Sequence, residues 1–252
     1  MYSRSSSFAL FLTLSALFLT ISLLVSCVPV RPKLVGEPVS RSFANELMQE
    51  WYKNSAWVTS VQGLAKVKVH TPEKSLTGTQ VILAEKPNRL RAEILSPFGS
   101  PLLLLAADGK KLGVSLPSRN IFYTGEASAA NLGRFVQIPL RLTDLISVLL
   151  YQPPMIAVLS EEAFALQDGG WLLVRYSSLR RQELIFNHVR QLVEVSYYKQ
   201  DEFYKPDQLF MKINYGKFPV EGGLFPQLFG IELPEADITA SLRFSDLETN
   251  GS

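Results

Sequence analysis

Apolar and polar residues alternate with a period of two over much of this chain. The pattern is clearest in residues 61–69, 89–94 and 236–245. Successive side chains of a strand point to opposite faces, so each segment predicts a β-strand with one apolar side. Short β-prone runs predict further strands: Leu76–Ala84, Leu102–Ala107, Lys111–Leu116, Asn120–Thr124, Phe164–Gln167, Trp171–Tyr176, Glu183–Asn187, Leu192–Tyr198 and Gln208–Tyr215.

Turn sequences separate several of these runs. Asp108-Gly109 and Asp168-Gly169-Gly170 lie between consecutive strand segments and predict hairpin turns. About 11 short strands in succession favour a large curled antiparallel sheet or barrel over βαβ units. The fold class is therefore mainly β.

Three segments have a helical period instead. Residues 42–53 predict a short amphipathic helix, and residues 127–136 predict a second one. Residues 142–150 carry a wide apolar stripe and end before Pro153-Pro154. A helix this apolar must be buried, most simply against the concave side of the sheet.

The N-terminal residues have the order of a bacterial lipoprotein signal. Arg4 precedes an apolar stretch over residues 8–25, and Ser26 and Cys27 follow it. A peptidase that cuts ahead of the cysteine would leave its thiol to carry lipid. We predict a signal peptide over residues 1–26 and lipidation of Cys27. The alternative is an uncleaved signal-anchor helix, since roughly 18 apolar residues can span a bilayer.

The residues after Cys27 bear on localisation and domain organisation. Val28 stands where an Asp commonly retains Gram-negative lipoproteins at the inner membrane, so we expect the periplasmic face of the outer membrane. Three prolines within residues 28–39 predict an extended tether over residues 27–40. Residues 41–252 then form the folded domain.

Composition excludes several classes of function. Cys27 is the only cysteine, so no disulfide and no cysteine-based metal site is expected. The formal net charge is +2, which is too small to hold nucleic acid by neutralising phosphates. Hydrophobic residues make up 47% of the chain, more than a disordered chain carries.

Candidate catalytic chemistry is absent from the sequence. His70 and His188 are far apart and are more simply strand-face residues, because imidazole catalysis needs positioned partners. No cluster has metal-ligand spacing, and no nucleophile elbow, P-loop or dinucleotide-binding motif occurs. We expect no catalytic residue, no metal and no cofactor, and therefore no enzyme.

The aromatic content allows two interpretations. The chain contains 15 Phe, 9 Tyr and 3 Trp. These residues can fill an ordinary core, or they can line a cavity between sheet and helix that receives a lipid or an acyl chain. Composition does not decide between the two.

The turn at residues 96–101 presents a large apolar residue. Phe98 lies at its tip, Pro97 and Pro101 stiffen its flanks, and Gly99 permits a tight geometry. Turn tips favour polar residues, so an exposed Phe98 indicates contact with a membrane or a partner. Burial of Phe98 under a neighbouring loop is the alternative.

This region resembles a known family. The run Arg89–Leu104 resembles the segment around the Pro-Leu-Gly turn of the LolB family of outer-membrane lipoprotein receptors, part of the LolA/LolB lipoprotein-localisation superfamily. Ile138-Pro139-Leu140 and the following helix resemble that family's Ile-Pro-Leu stretch, and Trp57–Val69 resembles its first strand. The chain is longer than typical members, and residues 204–230 have no counterpart in them.

The resemblance implies both fold and function. The fold is an incomplete, half-open antiparallel β-barrel with an apolar helical lid. A monomeric, lipid-anchored member takes triacylated lipoproteins from a LolA-like periplasmic carrier, binds their acyl chains in an apolar cavity and inserts them into the outer membrane. Pro97, Phe98 and Gly99 would form the membrane-engaging loop, with Phe98 where the family has Leu.

Facing direction within the predicted elements assigns nine residues to the cavity wall. They are Val67, Ile82, Ile94, Leu103, Leu145, Ile146, Leu149, Val195 and Phe244. An error of one residue in register would move a whole strand's set to the other face. The alternative function is a structural or assembly lipoprotein that docks protein on its sheet and has a filled core. A hydrolase comes third, because no nucleophile–base pair is present.

Overall fold

Thirteen antiparallel strands form one sheet in this computed structural model, which describes residues 36–200, 207–219 and 224–251. In chain order they are β1 (Ser60–His70), β2 (Ser75–Glu85), β3 (Arg89–Leu95), β4 (Pro101–Ala107), β5 (Lys111–Leu116), β6 (Ile121–Glu126), β7 (Ser160–Ala165), β8 (Trp171–Tyr176), β9 (Arg180–Phe186), β10 (Leu192–Lys199), β11 (Gln208–Gly216), β12 (Leu228–Leu233) and β13 (Ile238–Thr249). The predicted signal peptide, Cys27 and most of the predicted tether lie outside the described residues.

Two meanders meet at the centre of this sheet. The strands β1 to β6 pair in succession on one side, β7 to β13 pair in succession on the other, and β1 pairs with β13. β6, the last strand of the first meander, and β7, the first strand of the second, are the two edges of an open sheet. The predicted half-open antiparallel barrel is confirmed.

The strand predictions differ from the structure at several places, and β9, for example, begins at Arg180 rather than at the predicted Glu183. β12 begins within residues 204–230, the segment that has no counterpart in the LolB family. Neighbouring prolines and glycines hide its short pattern. β7 begins at Ser160, four residues before the predicted Phe164. It ends at Ala165 because Leu166 already belongs to the turn, where its N–H donates to the Gly170 carbonyl. The C-terminal strand begins at Ile238 because Pro234–Ala236 forms a 3-10 turn.

Three helices cover the inner face of the sheet. They are α1 (Arg41–Ala56), α2 (Ala129–Val136) and α3 (Leu142–Leu149). The hydroxyl of Ser40 accepts from the Phe43 N–H and begins α1, in keeping with the preference for serine at helix N-termini. The predicted apolar helical lid is confirmed by α3, which buries five of its eight residues. Within the described residues, none of the helices has the length and apolar character to cross a membrane.

The residues just before α1 belong to the sheet edge. Pro38 forms a β-bridge with Phe164, and the Val39 N–H donates to the Ala163 carbonyl at 2.9 Å. Residues 36–40 were predicted as the end of a flexible tether. Pairing with the open edge of β7 satisfies backbone groups that an edge strand otherwise leaves to solvent.

One half of the inner face is filled by aromatic side chains. The Tyr151 ring packs edge-on against Tyr215 with centroids 4.9 Å apart, and the Phe229 ring packs edge-on against Tyr215 at 5.8 Å. The Tyr151 hydroxyl donates to the Leu192 carbonyl at 3.0 Å, and the Tyr197 hydroxyl donates to the Pro154 carbonyl at 2.8 Å. These bonds tie the segment after α3 to strand β10.

Replacing Tyr151 by Phe should lower the free energy of unfolding by about 1–3 kcal/mol, because the buried Leu192 carbonyl loses its donor. Urea denaturation measures the change. Tyr52→Phe is the control, since this side chain is 56% exposed. The control should stay within about 0.5 kcal/mol of the wild type, and equal effects of the two variants would contradict the account.

The same variant has a pH signature. Burial raises the pKa of Tyr151, Tyr197 and Tyr215 above the usual value for tyrosine. The unfolded chain releases these protons above about pH 10, so stability is intact below that pH and falls above it by about 1.4 kcal/mol per pH unit for each tyrosine. Tyr151→Phe should remove the contribution of one tyrosine, about 1.4 kcal/mol per pH unit, from this alkaline slope.

Candidate functional site

An apolar cavity of about 230 Å³ lies between the β1–β4 half of the sheet and the helices α2 and α3. The sheet contributes most of its wall: Val67, Val69, Leu76, Thr77, Gly78, Gln80, Ile82, Leu90, Ala92, Ile94, Leu103, Leu105 and Leu242. The helices and the residues between them contribute Phe135, Val136, Gln137, Ile138, Leu145 and Leu149. We call α2, α3 and the connecting residues 137–141 the lid.

Small side chains keep this half of the inner face hollow. Gly78 lies on the inner face of β2, opposite Val67 of β1, and Ala92 faces inward from β3. A Cβ placed on Gly78 would have Ile94 Cγ2 as its nearest neighbour, at an ordinary contact distance of 3.8 Å. The other half of the inner face is filled by Tyr151 and its neighbouring rings.

The cavity opens at one end of the sheet. Along the inner face of β2, Leu76 is 44% exposed whereas Ile82 is 4% exposed. The open end therefore lies beside the β1–β2 turn, and we call it the mouth. Because β3 runs antiparallel to β2 and pairs Leu95 with Thr79, the β3–β4 turn lies at the same end.

The β3–β4 turn holds Phe98 in solvent. Its side chain is 95% exposed, so it is not buried under a neighbouring loop. The Ser96 hydroxyl accepts from the backbone N–H of Ser100 at 3.1 Å and of Phe98 at 3.3 Å. Gly99 has a φ of +82°, which glycine adopts without strain. The turn therefore presents one large apolar side chain next to the mouth, flanked by Pro97.

The lid is held by local capping interactions. The Ser128 hydroxyl accepts from the Asn131 N–H at the start of α2, and Gln137 ends that helix in a left-handed conformation with φ of +62°. Asp144 in the first turn of α3 pairs with Arg141 at 2.7 Å. Leu145 and Leu149 face the cavity from α3.

Six of the nine residues predicted for the cavity lie in its wall: Val67, Ile82, Ile94, Leu103, Leu145 and Leu149. Ile146, Val195 and Phe244 do not line it and are packed in the closed core, each at most 2% exposed. Ile146 follows Leu145 on α3 and therefore points to a different side of the helix. Val195 lies on β10 in the filled half, and the centroid of the Phe244 ring is 5.9 Å from that of Phe229.

Gly78 and Gln80 are wall residues that the sequence did not single out. They share the inner face of β2 with Ile82, so the period of two contains the signal. Glycine and glutamine do not stand out as cavity residues in a pattern scored by hydrophobicity.

Acid–base and metal chemistry have no visible support at this site. None of the residues lining the cavity is charged in the described part of the chain. The described residues also contain no group of three or more His, Cys, Asp or Glu side chains that could hold a metal ion. His70 pairs with Ser75 in an exposed hairpin, and His188 lies in the turn after β9. The site is equipped to bind apolar groups.

Solved structures share this architecture. A DUF1329 family protein from Desulfovibrio piger has a TM-score of 0.51 and 13% sequence identity, over 83% of this chain and 92% of that one. A putative outer membrane lipoprotein-sorting protein domain from Vibrio parahaemolyticus has a TM-score of 0.49 and 11% identity, over 82% of this chain and 92% of that one. The first of these shows a common fold.

A LolA superfamily protein from Nitrosomonas europaea is also similar, with a TM-score of 0.45 and 13% identity over 83% of this chain and 94% of that one. No protein-family model matches the sequence, and no curated protein matches it either.

The cavity should bind an apolar fluorescent probe saturably, and Gly78→Leu should weaken that binding about tenfold. A leucine there would occupy space that the probe needs, and tenfold corresponds to about 55 Å² of lost apolar contact at roughly 25 cal/mol per Å². Thr79→Leu adds the same side chain to the outer face of β2 and is the control. Equal affinities of the two variants in a fluorescence titration would show that the probe binds elsewhere.

Proposed function

We propose that this protein is a lipid-anchored outer-membrane protein that binds acyl chains of lipoproteins in its cavity and helps to insert them into the outer membrane. The observation that carries the proposal is the juxtaposition of an apolar cavity, open at one end, with an exposed Phe98 at that same end. The resemblance of Arg89–Leu104 to the LolB family supports the same function.

Burial of apolar surface supplies the binding energy. An acyl chain gains about 0.8 kcal/mol for each methylene removed from water. The cavity volume of about 230 Å³ is slightly smaller than that of typical ligand pockets, which begin at about 300 Å³. It therefore accommodates part of one acyl chain at a time unless the lid shifts outward.

Release needs no cofactor in this mechanism. Apolar binding has no directional bonds to break, and a bilayer offers an equally apolar and much larger environment. An acyl chain that reaches the bilayer is therefore stabilised there at least as well as in the cavity. Nucleotide hydrolysis is not required, and the role is that of a carrier rather than an enzyme.

Phe98 brings the mouth to the membrane in this proposal. Aromatic rings are favoured at membrane interfaces, and the turn around Gly99 holds the ring away from the rest of the domain. The mouth opens at the same end of the sheet, so contact through Phe98 shortens the path that an acyl chain travels through water.

The anchor is proposed to be Cys27. Several acyl chains on one cysteine hold a protein stably to a bilayer, and Val28 favours the outer membrane. Metabolic labelling with a palmitate analogue tests this assignment. Cys27→Ala should abolish the label, and labelling at the wild-type level would refute it. A LolA-like carrier is the proposed donor of cargo to a monomeric receptor.

A groove on the outer face supports the second candidate, a structural or assembly lipoprotein. Leu104 and Ala106 of β4 line this groove of about 510 Å³ together with Phe122, which is 69% exposed. A docking protein would use this face and leave the cavity unoccupied. Saturable acyl binding that Gly78→Leu weakens distinguishes the first candidate from the second.

Phe98→Glu should slow the transfer of a fluorescent acylated peptide from the protein to liposomes by about tenfold. A charged side chain at this tip opposes contact with the apolar part of the bilayer. Val189→Glu is the control, because Val189 is 56% exposed on a turn at the opposite end of the sheet.

Both variants should unfold at the wild-type temperature, since both side chains are exposed. Binding of the acylated peptide before liposomes are added should also be unchanged. If Phe98→Glu transfers cargo as fast as Val189→Glu, the turn has no role in delivery.

A further inference from the structure

Among the described residues, Gln80 supplies a carboxamide to the sheet side of the cavity, where the wall is otherwise apolar apart from Thr77. It lies on the inner face of β2 between Gly78 and Ile82, with Ala65 of β1 and Ile94 of β3 as its cross-strand neighbours. Its carboxamide makes no hydrogen bond with any of the residues that the structure describes. A group that can both donate and accept a hydrogen bond is therefore available inside a mainly apolar wall.

The position of Gln80 is intermediate in depth. Leu76 at the mouth is 44% exposed, and Ile82 near the closed end is 4% exposed. At about 3.3 Å per strand residue, Gln80 lies roughly 13 Å inward from Leu76 along β2. Gln80 is half-buried, so a ligand that fills the cavity removes its carboxamide from solvent.

This loss of solvent contact constrains the chemistry of the ligand. A pure hydrocarbon would leave the buried carboxamide without any partner, which is unfavourable. A carbonyl oxygen in the ligand would accept from the Nε2 of Gln80 and restore the lost hydrogen bond. A carboxylate would need a cation, and the cavity wall contains no lysine or arginine.

We propose that Gln80 donates a hydrogen bond to the carbonyl of an ester- or amide-linked acyl chain. The inference rests on the proposed acyl-binding function and names its substrate class. The cavity then selects neutral acylated molecules over bare hydrocarbons and over free fatty-acid anions. Such carbonyls occur both in the acylated N-terminus of a lipoprotein and in a phospholipid.

Displacement of an apolar fluorescent probe from the protein tests this selectivity. The ligands are methyl palmitate, hexadecane and the palmitate anion, each titrated against the wild type, Gln80→Met and Gln62→Met. Gln80→Met keeps the length of the side chain and removes its donor. Gln62→Met makes the same change on β1, at a position where the native amide pairs with Glu248.

The wild type and Gln62→Met should bind methyl palmitate about tenfold more tightly than hexadecane, a difference of about 1.4 kcal/mol. Gln80→Met should bind the two equally well, with hexadecane affinity at or above that of the wild type. Gln80→Leu provides a second variant should Gln80→Met fail to fold.

Two results would separate the failure of this inference from that of the proposed function. Equal affinity of the wild type for ester and hydrocarbon, or a preference that survives Gln80→Met, overturns the role of Gln80 and leaves acyl binding in place. Absence of displacement by every ligand overturns acyl binding itself. A diacylglyceryl-cysteine peptide and a phosphatidylcholine, compared in the same assay, show which source of carbonyl binds more tightly.

Discussion

An open antiparallel sheet exposes an apolar inner face that the rest of the chain must cover, and this requirement shapes the whole fold. Residues 36–56 cover part of that face, and the connection from β6 to β7 covers the remainder. The cover is uneven. Tyr151 and its neighbouring rings fill one half, whereas the short helices α2 and α3 lie over Gly78 and Ala92 and leave the other half hollow.

Side chains of the filled half hold one end of the lid over the hollow half. The Tyr197 and Tyr151 hydroxyls fix the segment that follows α3, so one end of the lid is bound to the sheet. The start of the lid, at α2, depends on local capping by Ser128 and on apolar contact with the cavity wall. An arrangement with one fixed end and one locally held end suits the proposed uptake and release of an acyl chain.

Much of the fold could be predicted from the sequence, because the signals are local. A period of two placed Val67 and Ile94 on the inner face, and the apolar stripe of α3 predicted a buried helix. The hollow half could not be predicted in this way. Val195 has the same period as Val67, and its place in a closed core depends on side chains from distant parts of the chain that share that core. The exposure of Phe98 likewise depends on hydrogen bonds within the turn.

A crystal structure of the protein with the methyl ester of a terminally brominated palmitic acid tests the central claim most directly. Anomalous scattering locates the bromine independently of how the chain is built. We expect a bromine peak inside the cavity, between β2, β3 and α3. A cavity without ligand, with bromine only in the outer groove near Phe122, would contradict the account.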